Sequence, residues 1–147
     1  MKKIKLKKTT QFIISASFLS GVLITIPGCM TSSDLFKVNL ITDKDANLGS
    51  NYLIVFEQPS SLDQMVDATY DSISKNILEN TDQFILIHPQ RGGQTLEYKS
   101  KDEPASMYFI LDNLPDGSNW KYFVPSPAGS EWDCDVKKDG MITCQES

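Results

Sequence analysis

Trp132-Asp133-Cys134-Asp135-Val136-Lys137-Lys138-Asp139-Gly140-Met141-Ile142-Thr143-Cys144 reads as a β-hairpin with its register already fixed. Lys138-Asp139-Gly140 is a three-residue turn that places Gly140 in the left-handed position, where the absence of a Cβ removes the steric cost. Counting outward from that turn, Lys137 faces Met141, Val136 faces Ile142, and Cys134 lands opposite Cys144. Period-two alternation then puts Trp132, Cys134, Val136, Ile142 and Cys144 on one face, with Asp133, Asp135 and Lys137 on the other. A strand with one apolar and one acidic face belongs to a sheet that is covered on one side and wet on the other.

The same signals recur upstream at close spacing, with turn residues between them. Phe36 to Ile41 sends Phe36, Val38 and Leu40 to one side. Tyr52 to Phe56, Phe84 to Ile87 and Met107 to Leu111 are short continuous apolar runs, the pattern of strands covered on both faces. Gln94 to Lys99, Trp120 to Val124, Trp132 to Val136 and Met141 to Cys144 bring the expected count to eight. Pro89 to Gly93 and Pro115-Asp116-Gly117-Ser118 each read as a hairpin turn. One segment breaks the rhythm. Leu62, Met65, Val66, Ile73, Ile77 and Leu78 follow helical spacing, and Ser61 with Gln64 forms a capping box ahead of them. Asp71-Ser72 is the expected break in this 62–79 insertion. The chain is therefore mainly β, a two-sheet antiparallel sandwich at 36–147 with a short helical insertion after the second strand.

Ahead of this domain lies a segment of a different kind. Residues 1–28 hold five lysines and no acid, with Phe12 to Ile26 as an uncharged apolar run. A membrane-spanning helix needs about 20 such residues, whereas a signal-peptide core is shorter. Ile26-Pro27-Gly28-Cys29 resembles a bacterial lipobox, with Pro27 replacing the usual small residue. Residues 1–28 are thus expected to be a lipoprotein signal peptide. Cys29 is the expected diacylated (palmitate-type) N-terminus, and 29–35 a lipidated tether. Met30 after the cysteine, rather than aspartate, directs such a protein to the periplasmic face of the outer membrane. Export to an oxidising compartment makes Cys134–Cys144 a structural disulfide, since neither the spacing nor further ligands suit a CxxC or zinc site.

Beyond residue 28 the chain carries 9 basic and 19 acidic side chains, a formal charge of −10. That balance argues against nucleic acid, whose phosphates demand clustered Lys and Arg. His88 is the sole histidine, so a catalytic triad or zinc pair lacks its parts, and no Gly-rich loop precedes a helix for phosphate. No small-molecule substrate, cofactor beyond the Cys29 lipid, metal or catalytic residue is expected. Scattered acids on so acidic a domain are a solvated face rather than a glycosidase pair. Asp43-Lys44-Asp45-Ala46-Asn47 begins like an EF-hand loop, but Gly49 falls one position late and Ile54 replaces the bidentate acid. The polar loop is nevertheless longer than a tight hairpin needs. Asp43, Lys44, Asp45, Ala46, Asn47, Leu48, Gly49 and Ser50 form the candidate partner-binding loop, with Leu48 as its apolar anchor.

In order along the chain, these features resemble the TssJ family of type VI secretion outer-membrane lipoproteins. The resemblance rests on Asn47-Leu48-Gly49, Tyr52 to Phe56, and Met65 to Ile73 with Ala68 and Tyr70. It continues through Ile85 to Pro89 with Gly92 and Gly93, Met107 to Leu111, Pro115-Asp116-Gly117, and Trp120-Lys121. An Arg-Pro-rich lead to the second strand is missing, Lys121 stands where arginine is frequent, and the cysteine hairpin is not a family feature. The resemblance implies a transthyretin-like sandwich and a non-enzymatic role. It implies anchoring of the secretion membrane complex by docking the loop after the first strand onto the periplasmic domain of the inner-membrane protein TssM. A pilotin-like or chaperone lipoprotein for an outer-membrane secretin is the alternative.

Overall fold

The computed structural model describes residues 34–77 and 84–147. The signal peptide, Cys29, most of the tether and the end of the 62–79 insertion lie outside the described residues. Eight strands form in the expected places: β1 (Leu35–Thr42), β2 (Tyr52–Glu57), β3 (Phe84–Ile87), β4 (Gln94–Lys99), β5 (Ala105–Ile110), β6 (Lys121–Val124), β7 (Glu131–Val136) and β8 (Ile142–Glu146). They build two four-stranded sheets, ordered β4-β1-β7-β8 and β3-β2-β5-β6. Sheet-on-sheet packing buries the inward residues of both. Phe36, Val38 and Leu40 meet Tyr52, Ile54, Phe56, Met107 and Phe109 in one core. Within it Phe56 stacks on Tyr98 at 4.6 Å between ring centroids, and Phe36 meets Phe56 edge-on at 5.9 Å.

The C-terminal hairpin has the expected register. Cys134 pairs with Cys144 and Val136 with Ile142, and the two cysteines are bonded. Gly140 has φ +81°, and a Cβ there would lie 2.6 Å from the Asn113 carbonyl oxygen, so conformation and space both require glycine.

Two expectations about connectivity need correction. Pro89 to Gly93 does not close a hairpin, because β3 pairs with β2 while β4 pairs with β1. The chain instead crosses between sheets there, through a 3-10 turn at Pro89–Arg91 and Gly92 at φ +71°. Local turn chemistry looks the same in either case; what differs is which distant strand offers a partner. Nor is the pairing wholly antiparallel, since β1 and β7 run parallel, with Leu40 beside Cys134. Strands 1 and 7 are far apart in sequence, and no local signal sets their direction.

The insertion is two helices, α1 (Leu62–Asp67) and α2 (Tyr70–Ile77). Ser61 and Gln64 form the capping box, with Gln64 N–H to Ser61 Oγ at 3.2 Å and Ser61 N–H to Gln64 Oε1 at 2.8 Å. The break falls at Ala68-Thr69 rather than Asp71-Ser72, because Thr69 and Ser72 cap the start of α2 through reciprocal bonds of about 3 Å. Lys121 closes α1 from the sheet, donating from Nζ to the Val66 and Ala68 carbonyls at 2.7 and 3.1 Å while lying 5.3 Å from the Trp120 ring. Ile73 packs on Val55 and Tyr108 on the outer face of the second sheet. That explains why β2 and β5 are apolar on both faces. Leu62 and Val66 follow the helical period yet are exposed, since α1 is too short to lay its whole apolar side on the sheet.

Candidate functional site

β1 and β2 belong to different sheets, so the chain between them crosses one end of the sandwich. The backbone N–H of Asp43 still bonds to the Val136 carbonyl at 2.9 Å, and its carboxylate accepts the Lys138 N–H at 3.0 Å. Next come a turn at Lys44-Asp45 and a short 3-10 segment at Ala46–Gly49. Inside that segment Asn47 and Leu48 both adopt left-handed backbone, with φ +51° and +54°. Asparagine tolerates this conformation, whereas leucine pays roughly 1–2 kcal/mol for it.

Buried contacts hold the loop in that shape. Ala46 is buried, and Asn47 is only 1% exposed. The Asn47 amide nitrogen donates to the Asn51 and Ser50 carbonyls at 2.8 and 3.3 Å, while its oxygen accepts the Asn113 N–H at 3.1 Å. From the side, Gln90 donates from Nε2 to the Lys44 carbonyl at 3.0 Å. Another sheet-crossing connection, Pro89–Arg91, therefore buttresses this one. At the loop's base Thr42 and Tyr52 share a buried hydroxyl–hydroxyl bond of 2.7 Å, and burial pushes the Tyr52 phenol up to about 12.

The eight candidate loop residues thus divide by role. Ala46 and Asn47 are internal struts, Asp43 is tied to Lys138, and Gly49 packs near Gln90. Lys44, Asp45, Leu48 and Ser50 face solvent, with Leu48 at 78% exposure. An apolar side chain held outward on a strained backbone braced by the buried Asn47 amide is suited to insertion into a partner pocket. One carboxylate oxygen of Asp43 and the side-chain oxygen of Asn47 accept protein N–H groups, and no group of three or more His, Cys, Asp or Glu placed to hold a metal occurs among the described residues. His88 bonds through Nδ1 to Asn51 Oδ1 at 2.8 Å, a structural contact beside the loop.

Two exposed apolar residues near this end escaped the sequence reading, Ile41 at 61% and Met141 at 54% exposure. Ile41 occupies an outward position of β1, after Lys37 and Asn39. An isoleucine on the polar register was the signal available.

The IglE N-terminal domain family matches residues 52–136, more than half of the sequence. The chain belongs to this family. No curated protein matches it. Among solved structures it resembles Serratia marcescens Lip, described as a membrane-bound component of the type VI secretion system. That match has a TM-score of 0.61 at 14% identity, covering 78% of this chain and 98% of that one. The type VI secretion lipoprotein TssJ1 from Pseudomonas aeruginosa gives 0.55 at 14% identity, covering 78% and 97%. A chain from the structure of the TssM C-terminal domain from EAEC gives 0.59 at 10% identity, covering 76% and 97%. At such identities the likeness is one of fold. The fold is the one found in type VI secretion lipoproteins, and the family match and the TssJ resemblance meet at that level.

Proposed function

We propose that the protein is a non-enzymatic lipoprotein, anchored through Cys29 to the periplasmic face of the outer membrane, that tethers a type VI secretion membrane complex by presenting 43–50 to the periplasmic domain of a TssM-like inner-membrane protein. The observation that carries this reading is the polarity of β1. The tether joins at Asp34, where the Ser100 N–H bonds the Asp34 carbonyl and the Gly129 N–H bonds that of Leu35. The loop leaves from Thr42, at the far end of an eight-residue strand, roughly 26 Å away. A lipid at Cys29 would place the loop on the side of the domain facing away from the membrane.

Lys44 and Asp45 are left free to steer the encounter, and Leu48 to supply the anchor. The fold likeness to two type VI secretion lipoproteins, and to a chain from a TssM structure, supports the same assignment.

The test is a titration of the mature domain against the partner's periplasmic domain. Leu48→Asp should weaken binding by about 2 kcal/mol or more with the melting temperature unchanged. Undiminished affinity would move the interface elsewhere. In cells, a fatty-acid analogue should label the wild type but not Cys29→Ser; equal labelling would remove the lipid anchor.

A further inference from the structure

The chain contains two Asp-Gly steps, Asp116-Gly117 and Asp139-Gly140, and the fold holds them differently. A glycine has no Cβ to shield its own backbone nitrogen, so a preceding carboxyl can approach it closely. Both glycines have positive φ, +78° at Gly117 and +81° at Gly140. At the second step, nitrogen and carboxyl are both engaged. The Gly140 N–H donates to the Lys137 carbonyl at 2.9 Å, and Asp139 Oδ1 accepts the Met141 N–H at 3.1 Å. Gly140 is buried, and a Cβ there would lie 2.6 Å from both the Asn113 carbonyl oxygen and Pro115 Cδ. The first step has only its turn bond, from the Ser118 N–H to the Pro115 carbonyl at 3.1 Å. Asp116 and Gly117 are exposed, and nothing lies within 4 Å of the place a Gly117 Cβ would take. Neither the Asp116 carboxyl nor the Gly117 N–H has a hydrogen-bond partner among the described residues.

We propose that Asp116-Gly117 is a site of spontaneous isoaspartate formation, and that the fold protects Asp139-Gly140 from the same reaction. The Gly117 nitrogen attacks Cγ of protonated Asp116. An N–Cγ bond forms, a C–O bond of the carboxyl breaks, and the hydroxyl leaves with the amide proton as water. The product is a cyclic imide. Water then adds to one of its two carbonyls. Opening at the N–Cγ bond restores aspartate; opening at the original peptide bond leaves the chain running through Cγ, one methylene longer. The net change is an isomerisation that needs no reagent but water. To reach Cγ the peptide unit must rotate. At Asp116 that rotation gives up at most the turn bond, whereas at Asp139 it breaks two bonds and drives Gly140 toward Asn113 and Pro115. The added methylene would lengthen the connection between β5 and β6, which carries Asn113, the residue that braces Asn47.

The purified full chain is incubated in mildly acidic buffer at physiological temperature and digested at intervals. Electron-transfer fragmentation then distinguishes isoaspartyl from aspartyl peptides. Isoaspartate should accumulate at Asp116 severalfold faster than at Asp139, preceded by a species lighter by one water. In denaturant, with the disulfide reduced, the two rates should converge. Asp116→Glu should abolish the first signal and leave the second unchanged, because the larger imide ring closes far more slowly. Equal rates at the two steps in the folded protein would overturn the proposal. So would an Asp116 that stays intact while the denatured chain reacts. A difference that persists in denaturant would also overturn it, since flanking sequence rather than the fold would then set the rates.

Discussion

The side-chain oxygen of Asn47 accepts the backbone N–H of Asn113 at 3.1 Å, across 66 residues of sequence. This bond joins the loop after β1 to the segment that follows β5, in the other sheet. The same side chain closes the loop on itself through Ser50 and Asn51, so one buried amide sets the shape of the whole end of the sandwich.

Asn47→Ala should therefore destabilise the domain by about 2–4 kcal/mol. It removes three part-buried hydrogen bonds and puts alanine at a left-handed position. Urea denaturation measures the loss. A cost below about 0.5 kcal/mol would show that solvent replaces these bonds readily.

Leu48→Gly separates display from stability. Glycine relieves the left-handed strain at φ +54° but adds freedom to the unfolded chain, so the melting temperature should stay level or rise slightly. Affinity for the partner should fall as it does for Leu48→Asp. A marked drop in melting temperature would mean that the leucine packs against the domain.

Replacing Cys134 and Cys144 together by alanine should cost about 3 kcal/mol at most, because the bond closes a loop of separation 10 in an already paired hairpin. Chemical denaturation under oxidising and reducing conditions would show the loss in wild type on reduction and none in the double variant.

Alkaline pH should unfold the domain through its buried phenols. Burial pushes Tyr52 and Tyr108 up to about 12, with the Glu57 carboxylate beside the Tyr108 hydroxyl adding to the second. In the unfolded chain both ionise near 10. The native state thus holds protons that the unfolded state has released, and stability complete below pH 10 declines as pH rises toward 12. Denaturation midpoints across that window should fall in wild type and fall less steeply in Tyr52→Phe, where Tyr108 still titrates. A flat wild-type profile would contradict the burial of these hydroxyls.

Apolar and polar alternation marked strands such as β1 and β7, since a period of two has one geometric meaning, while β2, β3 and β5 were legible as short continuous apolar runs between turn residues. The cysteine register was equally local: ten residues and a glycine turn leave a single pairing. The Ser61–Gln64 cap and the solvent-facing Leu48 were legible for the same reason, each depending on neighbours a few positions away.

Tertiary structure alone decided the rest. Pro89–Arg91 looks like a hairpin turn because turn residues encode a change of direction, not the sheet that the next strand will join. The parallel pairing of β1 with β7 and the Asn47–Asn113 bond are contacts between distant segments, and no periodicity records them. The depression lined by Ile41, Asp135 and Thr143 exists only because the β1–β7 and β7–β8 pairings place three separate stretches side by side. Sequence determined what each segment is; packing decided which segments meet, because the free energy of burial depends on shape and proximity that a linear pattern does not carry.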